Sequence, residues 1–342
     1  MCGLKKRLLC PEFVDIIKCH DICIFAESKL SDSDVLKLPE GYVYVVRNRK
    51  ICNRASGGIV VIYKKELNTV LKFDIKKDSQ FVLWFQISKS VLKIESDLVF
   101  GCVYVPPENS KYSSAEAFDE IENESLSILN VDKRYVALIG DFNAKTGTLD
   151  DYIEPDDTFL ELFDFDSDGD LYEYMYDFKK LLNYDIPLKR VSKCKGRINA
   201  YNGNKLLDIC KRNNLYIANS RIGSDANVGE RTCKDASVVD YLILSSNIFN
   251  LISKFDIDEF VSLYSDCHCP LHFNLKSVIS NTCTEKVTSM DENNDKKYIR
   301  WKNEKKSEFV NLIHEDPNGT LAMLNEKCGC NSNSNERHYF RN

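Results

Sequence analysis

Short apolar runs, and segments in which apolar and polar residues alternate, recur along most of the first 276 positions. They predict strands at residues 21–26, 42–47, 58–63, 69–75, 81–88, 97–105, 135–140, 215–219, 238–245, 254–262 and 271–276. Apolar residues at helical spacing predict helices at residues 10–19, within 114–129 and at 204–213. Many strands with a few interspersed helices indicate an α/β protein, with two packed mixed sheets and helices on the outside.

The most informative stretch joins a buried strand to two polar residues. The run Val136-Ala-Leu-Ile139 is typical of a strand buried on both faces, and Asp141 and Asn143 follow directly after Gly140. Residues two apart in an extended chain point to the same side, so a carboxylate and an amide leave the carboxyl end of a core strand together. A carboxylate can accept a proton from water, and an amide can donate to a phosphate oxygen. A plain polar turn is the alternative interpretation of so short a pattern.

Other polar residues also lie at predicted strand ends or in the loops between strands. They are Glu27, Tyr104, Asp240, Asp266 and His268. Asp240 lies within the apolar run 238–244, where a carboxylate must be paired or functional. Each of these residues alone is more often structural than catalytic. Together with Asp141 and Asn143, however, they can build one site for a hard cation with a general base.

The net charge of −6 argues superficially against a nucleic-acid partner, but its distribution does not. Residues 148–178 hold twelve of the 52 acidic residues and none of the 46 basic ones, so the rest of the chain is net basic. A basic body is compatible with a phosphate-rich substrate. We expect residues 148–178 to be a surface excursion that can be shortened without loss of the fold.

Cysteine usage and hydropathy bear on the compartment. The fourteen cysteines show no framework spacing, and Cys267/Cys269 and Cys328/Cys330 are Cys-x-Cys pairs. We expect reduced thiols and no zinc at either pair, because a complementary Cys or His pair is missing. No apolar run is long enough to span a bilayer, and the N-terminus lacks the apolar region of a signal peptide. These features predict an intracellular protein, nuclear or cytoplasmic, with no membrane partner. We also expect the protein to be a monomer.

Composition also divides the chain into segments. Residues 1–278 are expected to form one α/β domain, with an acidic insertion and loop region at 148–200. Residues 279–297 are rich in Ser, Asn, Thr, Lys and Glu and predict a polar linker. Residues 298–342 regain some helical periodicity but are expected to be largely disordered.

Seven short motifs, in order over about residues 3–276, resemble a known superfamily. They are Glu27-Ser-Lys-Leu, Gly57-Gly-Ile-Val-Val, Gly101-Cys-Val-Tyr104-Val-Pro-Pro, Leu138-Ile-Gly-Asp141-Phe-Asn143, Asn219-Ser-Arg221, Val239-Asp240-Tyr241, and Ser265-Asp266 with His268 and Pro270. The ordered set resembles the endonuclease/exonuclease/phosphatase superfamily, and within it the apurinic-type endonuclease domain of LINE-like non-LTR retrotransposons. This resemblance implies a four-layer α/β sandwich that cleaves phosphodiester bonds in DNA and depends on Mg²⁺, with Mn²⁺ as a substitute.

The resemblance also implies roles for the residues at the matching positions. Asp141 would orient or deprotonate the attacking water, and Asn143 would hold the scissile phosphate. Tyr104 would donate to a phosphate oxygen, and Asp240 would pair with His268.

Two further matching residues would serve the metal: Glu27 would hold it, and Asp266 would lie near it. Far along the chain, residues 300–309 resemble the connector that leads to a reverse transcriptase in such elements. This suggests a fragment of a longer polyprotein whose partner is that reverse transcriptase.

The chain departs from the family pattern in two places. The family's first strand, which carries an Asn of the metal site, is expected to be missing, because Met1-Cys2-Gly3-Leu4 aligns just after it. The family also has Asp directly before His, whereas Cys267 separates Asp266 from His268. A bulge at Cys267 would let Asp266 and His268 both face the metal. We expect His268, rather than His272, to face the phosphate.

Two other functions remain open. One is a phosphatase or phospholipase on the same fold, acting on inositol phosphates or sphingomyelin, since fold does not determine substrate. The other is a catalytically inactive remnant of a retroelement that at most binds nucleic acid.

Overall fold

The computed structural model describes residues 3–50, 56–75, 77–130, 135–154, 176, 178–195, 201–234 and 236–278. The predicted linker at 279–297 and the connector at 298–342 lie outside the described residues. So do residues 155–175 and 177 of the acidic segment.

The helices and strands follow the apolar patterning closely. The helices are α1 (Leu4–Arg7), α2 (Pro11–Lys18), α3 (Lys89–Leu92), α4 (Ala117–Leu129), α5 (Phe178–Leu182) and α6 (Asn202–Asn213). The strands are β1 (Ile22–Ala26), β2 (Tyr42–Arg47), β3 (Ile59–Lys64), β4 (Leu71–Lys72), β5 (Val82–Ile87), β6 (Leu98–Tyr104), β7 (Tyr135–Asp141), β8 (Leu215–Ile217), β9 (Asp240–Ser245), β10 (Ile252–Ile257) and β11 (Leu271–Leu275). None of the helices described is both long enough and apolar enough to cross a bilayer.

Two predicted strands differ from those observed. The strand predicted at 69–75 shrinks to β4, because a 3₁₀ helix at Lys65–Thr69 leads directly into it. The strand predicted at 254–262 is β10, which ends at Ile257 opposite Leu271. Its ladder stops there because the next residue of the partner strand is Pro270, which has no N–H to donate.

Three sheets form two layers. The larger layer is one sheet of six strands in the order β4-β5-β6-β7-β9-β8, in which β6 and β7 are parallel and the other pairs are antiparallel. The second layer contains the antiparallel sheet β1-β3-β2 and the antiparallel pair β10-β11. Among the strands that the structure describes, the larger sheet alone is therefore mixed, whereas the sequence predicted two mixed sheets.

The core between the two sheet layers is rich in stacked aromatic rings. Phe85 and Phe100 of the larger sheet stack at 5.3 Å, and Phe273 of β11 lies 6.1 Å from Phe100. Ile59 and Val61 of β3 are fully buried in the same cluster. Burial of this apolar area is the main force that holds the layers together.

Helices cover the two outer faces. On the small sheet, Phe13 of α2 lies 5.6 Å from Phe25 of β1. On the large sheet, Phe118 of α4 and Leu206 of α6 share a buried cluster with Trp84. The order helix, sheet, sheet, helix confirms the predicted four-layer sandwich.

The segment before β1 contains no strand: residues 3–21 form α1, α2 and their connections. Among the described residues, β1 pairs with β3 alone.

The start of the acidic segment belongs to the core, so the prediction of a surface excursion is wrong at Asp151 and Tyr152. Asp151 is completely buried, and its two carboxylate oxygens accept bonds from Arg221 at 2.6 and 2.7 Å. The backbone N–H of Ile217 donates to the same carboxylate at 2.7 Å. A bidentate arginine partner makes a buried carboxylate tolerable, and this partner lies 70 residues further along the chain.

Candidate active site

Strand register aligns three polar residues at one edge of the large sheet. Tyr104, the last residue of β6, lies opposite Asp141, the last residue of β7. Asp141 in turn lies opposite Asp240, the first residue of β9. Because β9 runs antiparallel to β7, its beginning meets the carboxyl ends of the two parallel strands. Asp240 therefore starts its strand, although the sequence pattern placed it inside the strand.

His268 bridges the two carboxylates. Its Nδ1 lies 2.9 Å from Oδ2 of Asp240, and its Nε2 lies 3.6 Å from Oδ2 of Asp141. The pairing of His268 with Asp240 is the one that the resemblance implied. Burial opposes charge on the ring, but the two carboxylates outweigh it and raise the pKa of His268 to about 12. The ring is therefore an imidazolium at neutral pH.

Asn143 holds the Asp141 carboxylate in place. Its backbone N–H donates to Oδ1 of Asp141 at 2.9 Å, and its side-chain amide donates to Oδ2 at 2.9 Å. The same amide donates to the carbonyl of Val105 at 2.8 Å. Asn143 adopts a left-handed backbone, which asparagine tolerates better than most residues. In this structure Asn143 is thus a positioning residue for Asp141.

The surroundings of Asp141 disfavour the ionised form of its carboxyl group. Burial, together with the charge of Asp240, raises the pKa of Asp141 well above its ordinary value, and the positive charge of His268 opposes that rise. Glu27 also raises it. A carboxylate of raised pKa is a better proton acceptor when ionised, which suits a general base.

Tyr104 and Glu27 are placed by a glycine pair. Residues 28 and 29, just after Glu27, donate backbone hydrogen bonds to the carbonyls of Gly58 and Gly57 at 3.1 and 2.8 Å. A Cβ atom on Gly57 would lie only 3.0 Å from the ring of Tyr104. Glu27 itself has a positive φ and lies 3.4 Å from the ammonium of Lys29. Non-glycine residues in this conformation are costly and concentrate at functional sites.

Two carboxylates that could hold a hard divalent cation meet at this edge. Ligand oxygens of Asp141 and Asp240 lie within 4.8 Å of each other. The charge of Glu27 also acts on this edge. It raises the pKa of Asp141, and it adds to burial, the larger cause, in raising the pKa of Tyr104 above its ordinary value. Carboxylates that repel one another are the groups a cation such as Mg²⁺ would stabilise.

Asp266 pairs with α1 rather than turning to the site with His268, as a bulge at Cys267 would have allowed. The Asp266 carboxylate accepts a bond from Arg7 of α1 at 2.8 Å. The backbone N–H groups of Cys267 and His268 both donate to Oγ of Ser265, at 3.3 and 3.0 Å. Cys267 therefore shares the side of His268, while Asp266 turns towards α1; its part in metal binding stays a prediction.

The competing histidine lies elsewhere. His272 of β11 stacks on His20, with ring centroids 5.0 Å apart, and its Nε2 lies 2.7 Å from Asp258. Its neighbours are thus another imidazole and a different carboxylate.

Sequence reasoning missed some residues that support the site. Oγ1 of Thr232 accepts bonds from the N–H groups of Val239 and Asp240, both at 3.0 Å. Asn219 donates to the carbonyl of Asp240 at 3.2 Å and was part of a matching motif. Thr232 carried no sequence signal, because a lone threonine in a loop is too common to single out.

Sequence reasoning also missed Cys233, because a single cysteine in a loop carries no motif of its own. Its thiol, the thiol of Cys267 and the ring of His268 place their ligand atoms within 4.8 Å of one another. Hydrogen bonds from Cys233 and His268 lower the pKa of Cys267 to about 4.

Comparison with known proteins points to one fold. No protein-family model matches the chain, and no curated protein matches it significantly. Among solved structures, the AP endonuclease LMAP from Leishmania major is 12% identical with a TM-score of 0.53, over 79% of this chain and 84% of that one.

Two other solved structures have lower TM-scores. The endonuclease domain of TRAS1, a telomere-specific non-LTR retrotransposon, is 12% identical with a TM-score of 0.47, over 80% of this chain and 92% of that one. The 3′ phosphatase NExo from Neisseria is 13% identical with a TM-score of 0.48, over 80% and 96%. The layers and the strand order agree with the structural similarity to LMAP. The chain has the endonuclease/exonuclease/phosphatase fold.

Proposed function

We propose that the chain is a divalent-metal-dependent endonuclease that hydrolyses phosphodiester bonds in DNA. The observation that carries this proposal is the placement of His268 between Asp141 and Asp240, beside Tyr104, at one sheet edge. The arrangement combines a buried proton acceptor with a held imidazolium. Hydrolysis of an anionic diester requires both, because water must lose a proton while negative charge grows on the phosphate.

Each residue would contribute to a separate part of the reaction. Asp141 would accept the proton of the attacking water, and its raised pKa favours that transfer. His268 would donate to a phosphate oxygen, while Asp240 holds the ring and preserves its charge. The Tyr104 hydroxyl would donate to the same group. For Asn143 to hold the phosphate as well, its amide must turn away from Val105.

A metal ion would be held by Glu27, with Asp266 joining only if it leaves Arg7. Bound Mg²⁺ or Mn²⁺ would neutralise charge on the phosphate and lower the pKa of a coordinated water. The protein groups keep their roles whichever of the two ions binds.

Two observations favour DNA as the substrate. The chain is net basic outside residues 148–178, which suits a polyanion. The fold is shared with LMAP, which is described as an AP endonuclease. Residues 300–309 also support the proposal that this nuclease is linked to a reverse transcriptase.

The test is nicking of supercoiled plasmid by the purified full chain with Mg²⁺, beside the isosteric variant Asp141→Asn. We expect nicking by the wild type and a loss of roughly 10²-fold or more in the variant, with DNA binding retained. Inositol phosphates and sphingomyelin are offered in parallel assays. Turnover of these with no nicking would show the phosphatase or phospholipase alternative, and no turnover of any substrate would show an inactive remnant.

A further inference from the structure

Two separate segments are joined by backbone hydrogen bonds next to the site. The N–H of Cys269 donates to the carbonyl of Thr232 at 2.8 Å, and the N–H of Lys234 donates to the carbonyl of Cys267 at 2.6 Å. Between these two bonds, Cys233 lies opposite His268 in an antiparallel bridge. The backbone therefore holds one cysteine against the Cys267-His268 pair.

The side chains converge as well. The two sulfur atoms and one ring nitrogen all lie within 4.8 Å of one another, and both cysteines are free thiols. Ligand atoms in a tetrahedral zinc site are about 3.3–3.8 Å apart, given Zn–S and Zn–N bonds of about 2.3 and 2.0 Å. Small side-chain rotations would close the difference.

We propose that Cys233, Cys267 and His268 form a binding site for a thiophilic divalent cation, Zn²⁺, that is separate from the oxygen-donor site for Mg²⁺. Soft thiolates with an imidazole select Zn²⁺, whereas hard Mg²⁺ prefers carboxylate oxygens and water. Three protein ligands leave the fourth position open to water. Binding would release the Nε2 proton of His268 together with the protons still held by the thiols.

The contact between His268 and Asp240 supports this assignment. Metal-binding histidines commonly donate their second ring nitrogen to a carboxylate, which orients the ring. Here Nδ1 of His268 already lies 2.9 Å from Asp240, so Nε2 would coordinate Zn²⁺. Nε2 would then leave its 3.6 Å contact with Asp141. Zinc and the proposed chemistry therefore compete for one imidazole.

The experiment uses Co²⁺ as a spectroscopic probe and Zn²⁺ as its competitor, with the full chain reduced beforehand. We expect Co²⁺ to produce a thiolate charge-transfer band that Zn²⁺ removes at one equivalent. Cys233→Ser and Cys267→Ser should each weaken Zn²⁺ binding by on the order of 100-fold or more, because even outer partners of metal ligands are worth 10–100-fold. Cys194→Ser, at another partly buried free thiol, should leave binding unchanged.

A second measurement needs no variant. Zn²⁺ should protect Cys233 and Cys267, but not Cys194, from alkylation followed by mass spectrometry. Absence of the band in the wild type, its persistence in both serine variants, or unprotected Cys233 and Cys267 would each overturn the proposal.

The consequence for catalysis rests on the proposed function and is measured separately. Zn²⁺ should inhibit Mg²⁺-dependent nicking in the wild type and in Cys194→Ser, and Cys267→Ser should resist that inhibition. A zinc site with no nicking under any condition would contradict the nuclease and leave the metal site standing. Nicking without a zinc site would contradict the metal site and leave the nuclease standing.

Discussion

His268 joins the ends of two strands by lying between Asp240, at 2.9 Å, and Asp141, at 3.6 Å. One ring thus contacts the first residue of β9 and the last residue of β7. Because Asp240 and Asp141 are also directly opposed in the sheet, the ring occupies a place defined by strand register rather than by a flexible loop alone. The geometry gives His268 a fixed charge beside a fixed base.

Replacing His268 should affect the reaction far more than replacing the partly buried His272. His268→Ala is expected to reduce the nicking rate by roughly 10²–10⁴-fold, because it removes the cationic donor beside Asp141. His272→Ala, which loses contacts with His20 and Asp258, should stay within a few fold of the wild type. Single-turnover nicking rates measure both, and equal losses would contradict the assignment.

Asp240→Asn should change how nicking depends on pH. The pKa of His268 is raised to about 12, so in the wild type its donor form persists across neutral and mildly alkaline pH. Without the Asp240 charge that pKa falls towards about 6.5, and activity should decline as pH rises through that range.

The same variant should also move the acid limb of the profile to lower pH. Asp240 raises the pKa of Asp141, so its removal should let the base ionise at lower pH. Asp258→Asn, which alters the partner of His272, is the control and should leave the profile unchanged. A wild-type profile in Asp240→Asn would refute the coupling.

Glu27→Gln should raise the concentration of Mg²⁺ needed for nicking, because an amide is a weaker ligand than a carboxylate for a hard cation. Titrations of Mg²⁺ and Mn²⁺ give the half-saturating concentration. Glu66→Gln, in the 3₁₀ helix after β3, is the matched control. Nicking that continues unchanged in EDTA would show that no metal is involved.

Gly57→Ala should displace Tyr104 as well as strain the backbone. Alanine there must adopt φ of +68° and place its Cβ 3.0 Å from the Tyr104 ring. Gly41 has a similar φ of +82° but open space around it, so Gly41→Ala carries only the strain, about 1–2 kcal/mol. Both variants should lose stability in urea unfolding, and only Gly57→Ala should also lose nicking rate. Equal nicking rates in the two variants would show that nicking does not depend on the position of the Tyr104 ring.

Asp151→Ala should destabilise the fold by about 3–5 kcal/mol, because it leaves the buried charge of Arg221 without its carboxylate partner. Its neighbour Asp150 pairs with Lys189 at the surface, so Asp150→Ala should change the free energy of unfolding by less than about 0.5 kcal/mol. Urea unfolding at neutral pH measures both variants. Equal, small effects would restore the view of this segment as a surface excursion.

The contribution of Asp151 should also depend on pH in a defined direction. Burial opposes ionisation, but Arg221 outweighs it and lowers the pKa of Asp151 below its ordinary value. A lowered pKa stabilises the fold above the unfolded value of about 3.9 and loses that effect as pH falls through the folded value. The difference between wild type and Asp151→Ala should therefore shrink under acid conditions.

Local pattern determined the elements and part of the site. Apolar runs and alternation predict the ends of β1, β3, β5, β6, β7 and β9 to within two residues. They do so because burial on a sheet face sets which neighbouring residues are apolar. The same locality explains why Asp141 and Asn143 could be recognised: they follow directly on a buried strand. The pairing of His268 with Asp240, 28 residues apart, came from the motif resemblance rather than from pattern.

Tertiary structure alone decided the contacts between distant positions. Asp151 is buried because Arg221 reaches it from 70 residues away, and Asp266 turns to Arg7 across 259 residues. Cys233 is distant from Cys267 in the sequence, yet it lies beside Cys267 once the two loops hydrogen-bond. Such pairings depend on sheet order and register, which arise from the packing of the whole domain, so no local pattern of apolar and polar residues can specify them.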